Sequence, residues 1–362
     1  MNRIAEIVKR DEFTKDEIVY LLSLTEESDM QELFQAAYAV KAQYVGKKVY
    51  YRGLIEFSNI CKKNCYYCGI RAENRTVARY SMTEEEVYQA AELAYKFNYG
   101  SVVIQSGERE DDQYVATINR LLRGIKKLSD NKLGITLSVG EQTLEVYQSF
   151  YESGAHRFLL RIETSNPELY KKLHPADHSF ERRIQCLQLL QRAGFQTGTG
   201  VMIGLPFQTL EDLADDLLFF RTMDIDMIGM GPYIEHESTP LYEYRHLLTS
   251  RKERFDLALR MIAVLRLIMK DINIAAATAL QAIDPVGREK GLKAGANVIM
   301  PNMTPTKYRS DYKLYEDKPC LDEDATKCRG CLDARIKASG DTIGYGEWGD
   351  SGHFARRKAK EG

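Results

Sequence analysis

The feature that most constrains the fold of this chain is a strand-like segment followed by an amphipathic helix, repeated from Val49 onward. The predicted strands are residues 49–56, 101–105, 134–138, 157–161, 199–203, 227–230, 274–277 and 297–300. Helical patterns between them include residues 209–220 and 251–269. These eight strands predict an α/β fold, most simply a complete (β/α)8 TIM barrel. A doubly wound open sheet is the alternative, because repetition alone does not prove closure.

The predicted barrel spans residues 49–305, between an N-terminal helical extension at 1–48 and a C-terminal extension at 306–362. Two capping boxes support the helix predictions, one at Thr14 and Glu17 and the other at Thr83 and Glu86. Apolar residues at helical spacing follow each of them.

Composition narrows the class of partner. The chain has 50 basic and 52 acidic residues and a formal net charge of -2, which favours a small-molecule substrate over nucleic acid or a membrane surface. No apolar run reaches the length of about 20 residues that spans a bilayer, and the first residues lack a secretory apolar region. We therefore expect a cytoplasmic protein with reduced thiols.

Three cysteines, Cys61, Cys65 and Cys68, follow the first predicted strand at spacings of four and three residues. Such thiolates can hold three irons of a cubane [4Fe-4S] cluster and leave the fourth iron open to an exogenous chelator. A structural zinc site is disfavoured because it takes four ligands, and no nearby His or Cys completes the set. A disulfide is disfavoured because three cysteines cannot pair evenly and no secretory signal precedes them.

This spacing, with Tyr67 just before the third cysteine, resembles that of the radical S-adenosylmethionine (SAM) superfamily. The resemblance implies that Cys61, Cys65 and Cys68 are catalytic cluster ligands and that SAM chelates the open iron. It also implies a low-potential reductant and cleavage of SAM to methionine and a 5'-deoxyadenosyl radical.

Polar residues follow the predicted strands at the barrel end where reactive groups gather. Glu108, Glu141 and Glu163 each come shortly after a strand. Each alone is more often part of an ordinary turn and helix start, but their shared position favours a site for a charged ligand.

SAM requires a carboxylate for its ammonium group, a guanidinium for its carboxylate and apolar surface for adenine. The resemblance implies contacts to the amino group from 106–108, to the methionyl and ribose portions from Glu163 and Arg183, and to adenosine from 200–206. For Arg183 a position on a helix surface is the alternative. The predicted cofactor-binding residues are Tyr67, Ser106, Gly107, Glu108, Ser138, Arg161, Glu163, Arg183, Met202 and Tyr233.

Segments 55–65, 105–108, 204–206 and 295–302 extend the resemblance over nearly the whole chain, to the HydE family of [FeFe]-hydrogenase maturases. The biotin synthase and methylornithine synthase families share the general plan but fewer of these segments. The resemblance implies action on an iron-bound, cysteine-containing precursor, with other hydrogenase maturases as partners.

A second trio, Cys320, Cys328 and Cys331, resembles an accessory iron-sulfur site of that family, which implies a second cluster, [2Fe-2S] or [4Fe-4S]. A zinc site completed by Asp322 or Asp324 stays open. Lone Cys186 is predicted to be a buried apolar residue.

Several positions near the expected substrate depart from the family pattern, among them Ile162 and Met303. Met230, Thr278 and Tyr308 are predicted substrate residues, with packing as the alternative. Two other functions stay open: a related radical SAM enzyme with another small substrate, such as a methylornithine-synthase-like mutase, and a non-catalytic iron-sulfur scaffold.

Overall fold

The computed structural model describes residues 3–361, without the side chains of Lys327, Cys328 and Glu361. The helices are α1 (Arg3–Ile7), α2 (Lys15–Leu22), α3 (Glu27–Tyr44), α4 (Glu84–Lys96), α5 (Asp112–Leu128), α6 (Leu144–Glu152), α7 (Pro167–Leu173), α8 (Phe180–Arg192), α9 (Leu210–Thr222), α10 (Arg251–Ile268), α11 (Thr278–Ile283), α12 (Gly287–Lys293), α13 (Thr306–Arg309), α14 (Ala325–Ala338) and α15 (Gly352–Glu361), with a 3-10 helix at Pro240–Leu247. The strands are β1 (Lys48–Ser58), β2 (Ser101–Ser106), β3 (Gly134–Ser138), β4 (Arg157–Leu159), β5 (Gln196–Thr199), β6 (Met202–Ile203), β7 (Met227–Ile228), β8 (Gly231–Pro232), β9 (Asn273–Ile274), β10 (Val298–Ile299) and β11 (Thr342–Ile343).

The main sheet is parallel and curled. Its strands follow the order β10-β1-β2-β3-β4-β5-β7-β9. A parallel bridge between Ala275 and Val298 links the two ends of this order, and the amides of Ala276 and Asn297 each donate a 2.9 Å hydrogen bond across the same gap. The predicted α/β fold with parallel strands is confirmed, and this short link joins the seventh barrel strand to the eighth.

The predicted fifth strand, 199–203, is divided in two. Its first part belongs to β5, which begins earlier, at Gln196, while β6 pairs with β8 in a separate two-stranded sheet. The backbones of the two segments approach closely at this break. A Cβ atom on Gly200 would lie only 2.0 Å from the carbonyl oxygen of Gly229. This close approach turns β6 and β8 away from the barrel wall and toward its mouth.

Local signals in the sequence predicted the helix starts correctly. Thr14 and Thr83 both form complete capping boxes, at the starts of α2 and α4. Strand β1 is buried along almost its whole length, because helices cover its outer face and other strands enclose its inner face. Cys186 is fully buried in the core, as predicted.

The C-terminal extension contacts both ends of the barrel. Strand β11 pairs with the start of β1, and Asp350 pairs with the fully buried Arg157 at the amino end of the strands. Residues 312–318 lie at the opposite end, over the carboxyl ends of the strands. Among the described helices, none has the length and apolar character needed to cross a membrane.

Candidate active site

A cavity of about 320 Å³ lies at the carboxyl ends of the barrel strands. It brings together nearly all residues that the sequence predicted. The predicted residues that line it are Cys61, Cys65, Tyr67, Cys68, Ser106, Gly107, Glu108, Ser138, Arg161, Glu163, Arg183, Met202, Tyr233 and Thr278. Segments far apart in the chain therefore meet in one concave site, the usual form of a small-molecule site.

The three thiols at the cavity are half-buried. Burial raises the pKa of Cys65 to about 12, and burial followed by the charges of the other two thiols raises the pKa of Cys68 well above its ordinary value. Burial also raises the pKa of Cys61, although its sulfur accepts hydrogen bonds from the amides of Lys63 at 3.4 Å and Glu108 at 3.3 Å. Three adjacent thiolates at this position require a highly charged metal group to offset their repulsion.

This donor set fits a cluster better than a single ion. Within residues 3–361, leaving out the undescribed side chains, no group of three His, Cys, Asp or Glu side chains is arranged to hold one metal ion. In a cubane each cysteine binds a different iron, so the sulfurs stay further apart than zinc ligands do. The residue that follows β2 also lies close to the cysteines. A Cβ atom on Gly107 would lie 2.7 Å from the Cβ atom of Cys61.

Four charged side chains form a buried network beside the cysteines, which we call the charged cage: Lys63, Glu108, Glu141 and Arg183. Lys63 Nζ lies 3.4 Å from Glu108 and 2.9 Å from Glu141, and Arg183 lies 3.5 and 2.8 Å from the same two carboxylates. None of the four side chains is more than 14% exposed. Two acids and two bases balance, so the cage is neutral without a ligand.

The cage retains unused hydrogen-bonding capacity toward the cavity. Burial opposes the charge of Arg183, but Glu108 and Glu141 outweigh it and hold the Arg183 pKa well above its ordinary value. Glu108 Oε1 and Arg183 Nε are nevertheless buried without a hydrogen bond, because their ion-pair contacts are poorly aligned. Buried polar atoms of this kind normally have partners, so this pair is suited to a ligand's ammonium and carboxylate groups.

Arg161 and Glu163 form a second charged pair in the cavity wall. Arg161 Nη2 lies 2.8 Å from Glu163 Oε2. Burial raises the pKa of Glu163, although Arg161 and Arg183 act in the opposite direction. Glu163 has a φ of +68°, which is strained for a residue other than glycine. Its side-chain Oε2 and the Nε and Nη2 atoms of Arg161 are buried without hydrogen bonds, so this pair can also receive polar groups of a ligand.

The structure separates two predicted substrate residues from the cavity. Met230 is fully buried in the hydrophobic core. Tyr308 stacks on Tyr80, with ring centroids 4.6 Å apart, and its hydroxyl donates to Glu86 at the start of α4. Neither residue lines the cavity, because each is held by packing or hydrogen bonds elsewhere.

Residues of the C-terminal extension line the cavity instead, and no sequence pattern predicted them. We call residues 312–318 the cover. Its Leu314 carbonyl accepts a 3.0 Å hydrogen bond from Gly69, and Lys318 forms an ion pair with Glu56 of β1. The two side chains of that pair are 7% and 3% exposed. The cover adds Tyr312 and Tyr315 to the cavity wall, so the site depends on the end of the chain as well as on the barrel.

The second cysteine trio is only partly described. Cys320 is half-buried, its sulfur lies 3.8 Å from Gln281 Nε2, and its carbonyl accepts a hydrogen bond from Arg309. Cys331 is exposed. The side chain of Cys328 lies outside the described residues, so the accessory site stays a prediction.

The curled parallel sheet and the three-cysteine cavity together define a radical SAM enzyme, and residues 55–220 match the radical SAM superfamily. The chain belongs to the HydE family: it is 44% identical over 347 residues, 96% of each chain, to the [FeFe] hydrogenase maturase subunit HydE of Thermotoga maritima. The family implies a [4Fe-4S] cluster and SAM as cofactors.

Two further relatives share the fold. The 3-methylornithine synthase of Methanosarcina acetivorans is 27% identical over 303 residues, covering 83% of this chain and 82% of that protein. The crystal structure of methylornithine synthase (PylB) superposes with a TM-score of 0.80 at 24% identity and covers 98% of this chain and 99% of that one. At this identity the structural match shows the common fold.

Proposed function

We propose that this radical SAM enzyme takes part in the maturation of [FeFe]-hydrogenase. The observation that carries the proposal is the similarity to the Thermotoga maritima maturase, which extends over 96% of both chains and therefore includes the C-terminal extension as well as the barrel. The cover and the barrel build one cavity, so similarity over both parts bears on the whole site.

In the proposed site, Cys61, Cys65 and Cys68 hold three irons of the cluster and leave the fourth open. When bound there, the reduced cluster and SAM supply the 5'-deoxyadenosyl radical and methionine. The protein holds the cluster and SAM in the correct position relative to each other and excludes water. The position of all three half-buried thiols in the wall of one cavity supports this assignment.

The charged cage orients the methionine part of SAM. Glu108 accepts a hydrogen bond from the ammonium group, and Arg183 donates to the carboxylate. Lys63 and Glu141 keep these two side chains in place while preserving neutrality. The unused hydrogen-bonding capacity of Glu108 Oε1 and Arg183 Nε supports these roles.

The remaining contacts follow the cavity wall. Arg161 and Glu163 receive the ribose and methionyl portions, and Met202 and Tyr233 provide apolar surface for adenine. The other proposed SAM contacts are Tyr67, Ser106, Gly107 and Ser138. Thr278 is the predicted substrate residue that also lines the cavity.

The proposed substrate is an iron-bound, cysteine-containing precursor, and the proposed partners are a low-potential reductant and the other hydrogenase maturases. A reducing compartment such as the cytoplasm suits the thiols.

Cys320, Cys328 and Cys331 are proposed as an accessory iron-sulfur site. Its role is tested by replacing Cys331 with Ala, which is expected to remove iron from the second site and leave SAM cleavage intact.

The proposal is tested by anaerobic reconstitution with iron and sulfide, reduction, and measurement of 5'-deoxyadenosine. SAM is supplied alone, with the iron-cysteine precursor, or with free amino acids. We expect cleavage that depends on the cluster and rises with the precursor, and no cleavage by the Cys65→Ala variant. Stimulation by a free amino acid alone would favour a mutase, and an intact reducible cluster without SAM cleavage would favour a scaffold.

A further inference from the structure

The loop that carries the three cysteines is held in shape by an arginine that follows it in the chain. Residues 59–80 form neither helix nor strand, so their carbonyl groups have no regular partners. Arg79 supplies partners for a group of them. Its guanidinium donates to five backbone carbonyls: those of Asn59 at 2.7 Å, Ile70 at 2.8 Å, Arg71 at 2.5 Å, Ala72 at 3.5 Å and Asn74 at 2.9 Å.

These acceptors lie on both sides of the cysteines. Asn59 precedes Cys61, and the other four carbonyls follow Cys68, so one side chain joins the entry of the loop to its exit. A guanidinium is suited to this task because its rigid planar fork presents several donors at fixed angles. Lysine carries the same charge but has a single ammonium group and no fork.

The position of Arg79 also gives its charge a role. Its guanidinium is bonded to the carbonyls of Asn59 and Ile70, which are each two residues from a cysteine of the trio, Cys61 and Cys68 respectively. These hydrogen bonds go to neutral carbonyls, so none of the five partners offsets the positive charge that the guanidinium holds beside the loop that carries the cysteines. A fixed positive charge near an iron-sulfur cluster favours the reduced form, because reduction adds an electron.

We propose that Arg79 is a positioning residue of the cluster site, with two separable effects. Its hydrogen-bond fork keeps the loop in the shape in which three sulfurs face one cavity, and its charge raises the reduction potential of the bound cluster. The inference rests on the proposed ligation by Cys61, Cys65 and Cys68. It adds that a residue outside the trio controls both the retention and the potential of the cluster.

Two substitutions separate the effects. Arg79→Lys keeps the charge and removes the fork, whereas Arg79→Gln removes the charge and keeps one amide donor group. Arg75 provides a matched control within the same segment. Its side chain is exposed, so Arg75→Gln removes an arginine without removing the clamp.

The experiment measures iron per chain, the rate of cluster loss to a chelator, and the midpoint potential by electron paramagnetic resonance during a redox titration. We expect both Arg79 variants to lose the cluster roughly 10- to 100-fold faster, the range for residues that support metal ligands. Arg79→Gln should also shift the midpoint potential to a more negative value, while Arg79→Lys stays close to the parent protein. Arg75→Gln should resemble the parent protein in both measurements.

Unchanged cluster retention in Arg79→Lys would overturn the clamp, and an unchanged potential in Arg79→Gln would overturn the charge effect. If a variant does not fold, its circular dichroism and thermal midpoint without cluster show this, and the other variant still tests the clamp. Failure of the proposed ligation is distinguishable, because then the parent protein itself would not retain a cluster bound by the three cysteines.

Discussion

Lys63 lies between Cys61 and Cys65, and its Nζ atom lies 2.9 Å from the carboxylate of Glu141, which follows β3. The contact joins the loop that carries the cluster ligands to the barrel strands that carry the proposed SAM ligands. Lys63 also lies 3.4 Å from Glu108, so its single ammonium group forms ion pairs with two carboxylates.

Replacing Lys63 with Met should destabilise the folded protein by roughly 2 kcal/mol, because two buried carboxylates would then share Arg183 alone. The free energy of unfolding from urea titration measures the effect. The neighbouring Lys62 is the matched control, because its ion pair with Glu110 is largely exposed. Lys62→Met should cost at most about 1 kcal/mol, and equal losses in the two variants would contradict a structural role for the cage.

Replacing Arg183 with Lys should weaken SAM binding at least about tenfold, because an ammonium group cannot reproduce the two-sided contact to Glu108 and Glu141. Calorimetric titration of the reconstituted protein with SAM measures the change. Arg182 on the same helix donates to the carbonyl of Gln142 and to Gln185, outside the cage. Arg182→Lys is therefore expected to bind SAM like the parent protein, and a normal affinity in Arg183→Lys would remove Arg183 from the proposed site.

His353 in α15 should make stability depend on pH. It lies 2.6 Å from Asp224 and 3.4 Å from Asp271, with Arg356 at 3.1 Å, and the hydrogen bond with Asp271 raises its pKa from the ordinary 6.5, against the effect of burial. A raised pKa in the folded state means that the stabilisation is complete below pH 6.5 and is lost as the pH rises through the folded pKa.

Thermal midpoints measured across this window should therefore fall more steeply with rising pH in the parent protein than in His353→Gln. Burial lowers the pKa of His156 to about 4 and that of His174 to about 3, so these two residues do not titrate there. Parallel pH profiles for parent and variant would show that the two carboxylates do not act on His353.

The ion pair of Lys318 with Glu56 should hold the cover in place. Lys318→Met leaves a buried carboxylate without its partner, which typically costs about 3–5 kcal/mol, and the segment can open to relieve that cost. Hydrogen exchange of residues 312–318 should become faster in this variant. Combining Lys318→Met with Glu56→Gln should restore part of the protection of residues 312–318 from exchange, since no unpaired charge remains. Equal exchange rates in the single and double variants would contradict this explanation.

Features coded by local spacing were predictable from the sequence. The capping boxes, most strands, the first cysteine trio and the charged residues at the strand ends all depend on short patterns. Arg183 also had such a signal, because it shares the i, i+3, i+4, i+7 stripe of Cys186, Leu187 and Leu190 and is therefore buried. The neighbouring charges at Glu181 and Arg182 obscured that stripe.

Features that depend on distant contacts were not predictable. Lys318 and Glu56 are 262 residues apart in the sequence, and Lys63 and Glu141 are 78 apart, so neither pairing leaves a local pattern. The lining of the cavity by Tyr312 and Tyr315, and not by Tyr308, was not predictable for the same reason. The break after β5 was missed because it depends on a close approach of two glycines from different strands.

The cover has a consequence for how the protein is made. During synthesis the three cysteines leave the ribosome before residues 312–318, which cover the cavity. The barrel strands therefore have the opportunity to assemble before the cavity is covered. Delivery of iron and sulfide during that interval meets a site that the cover does not yet line.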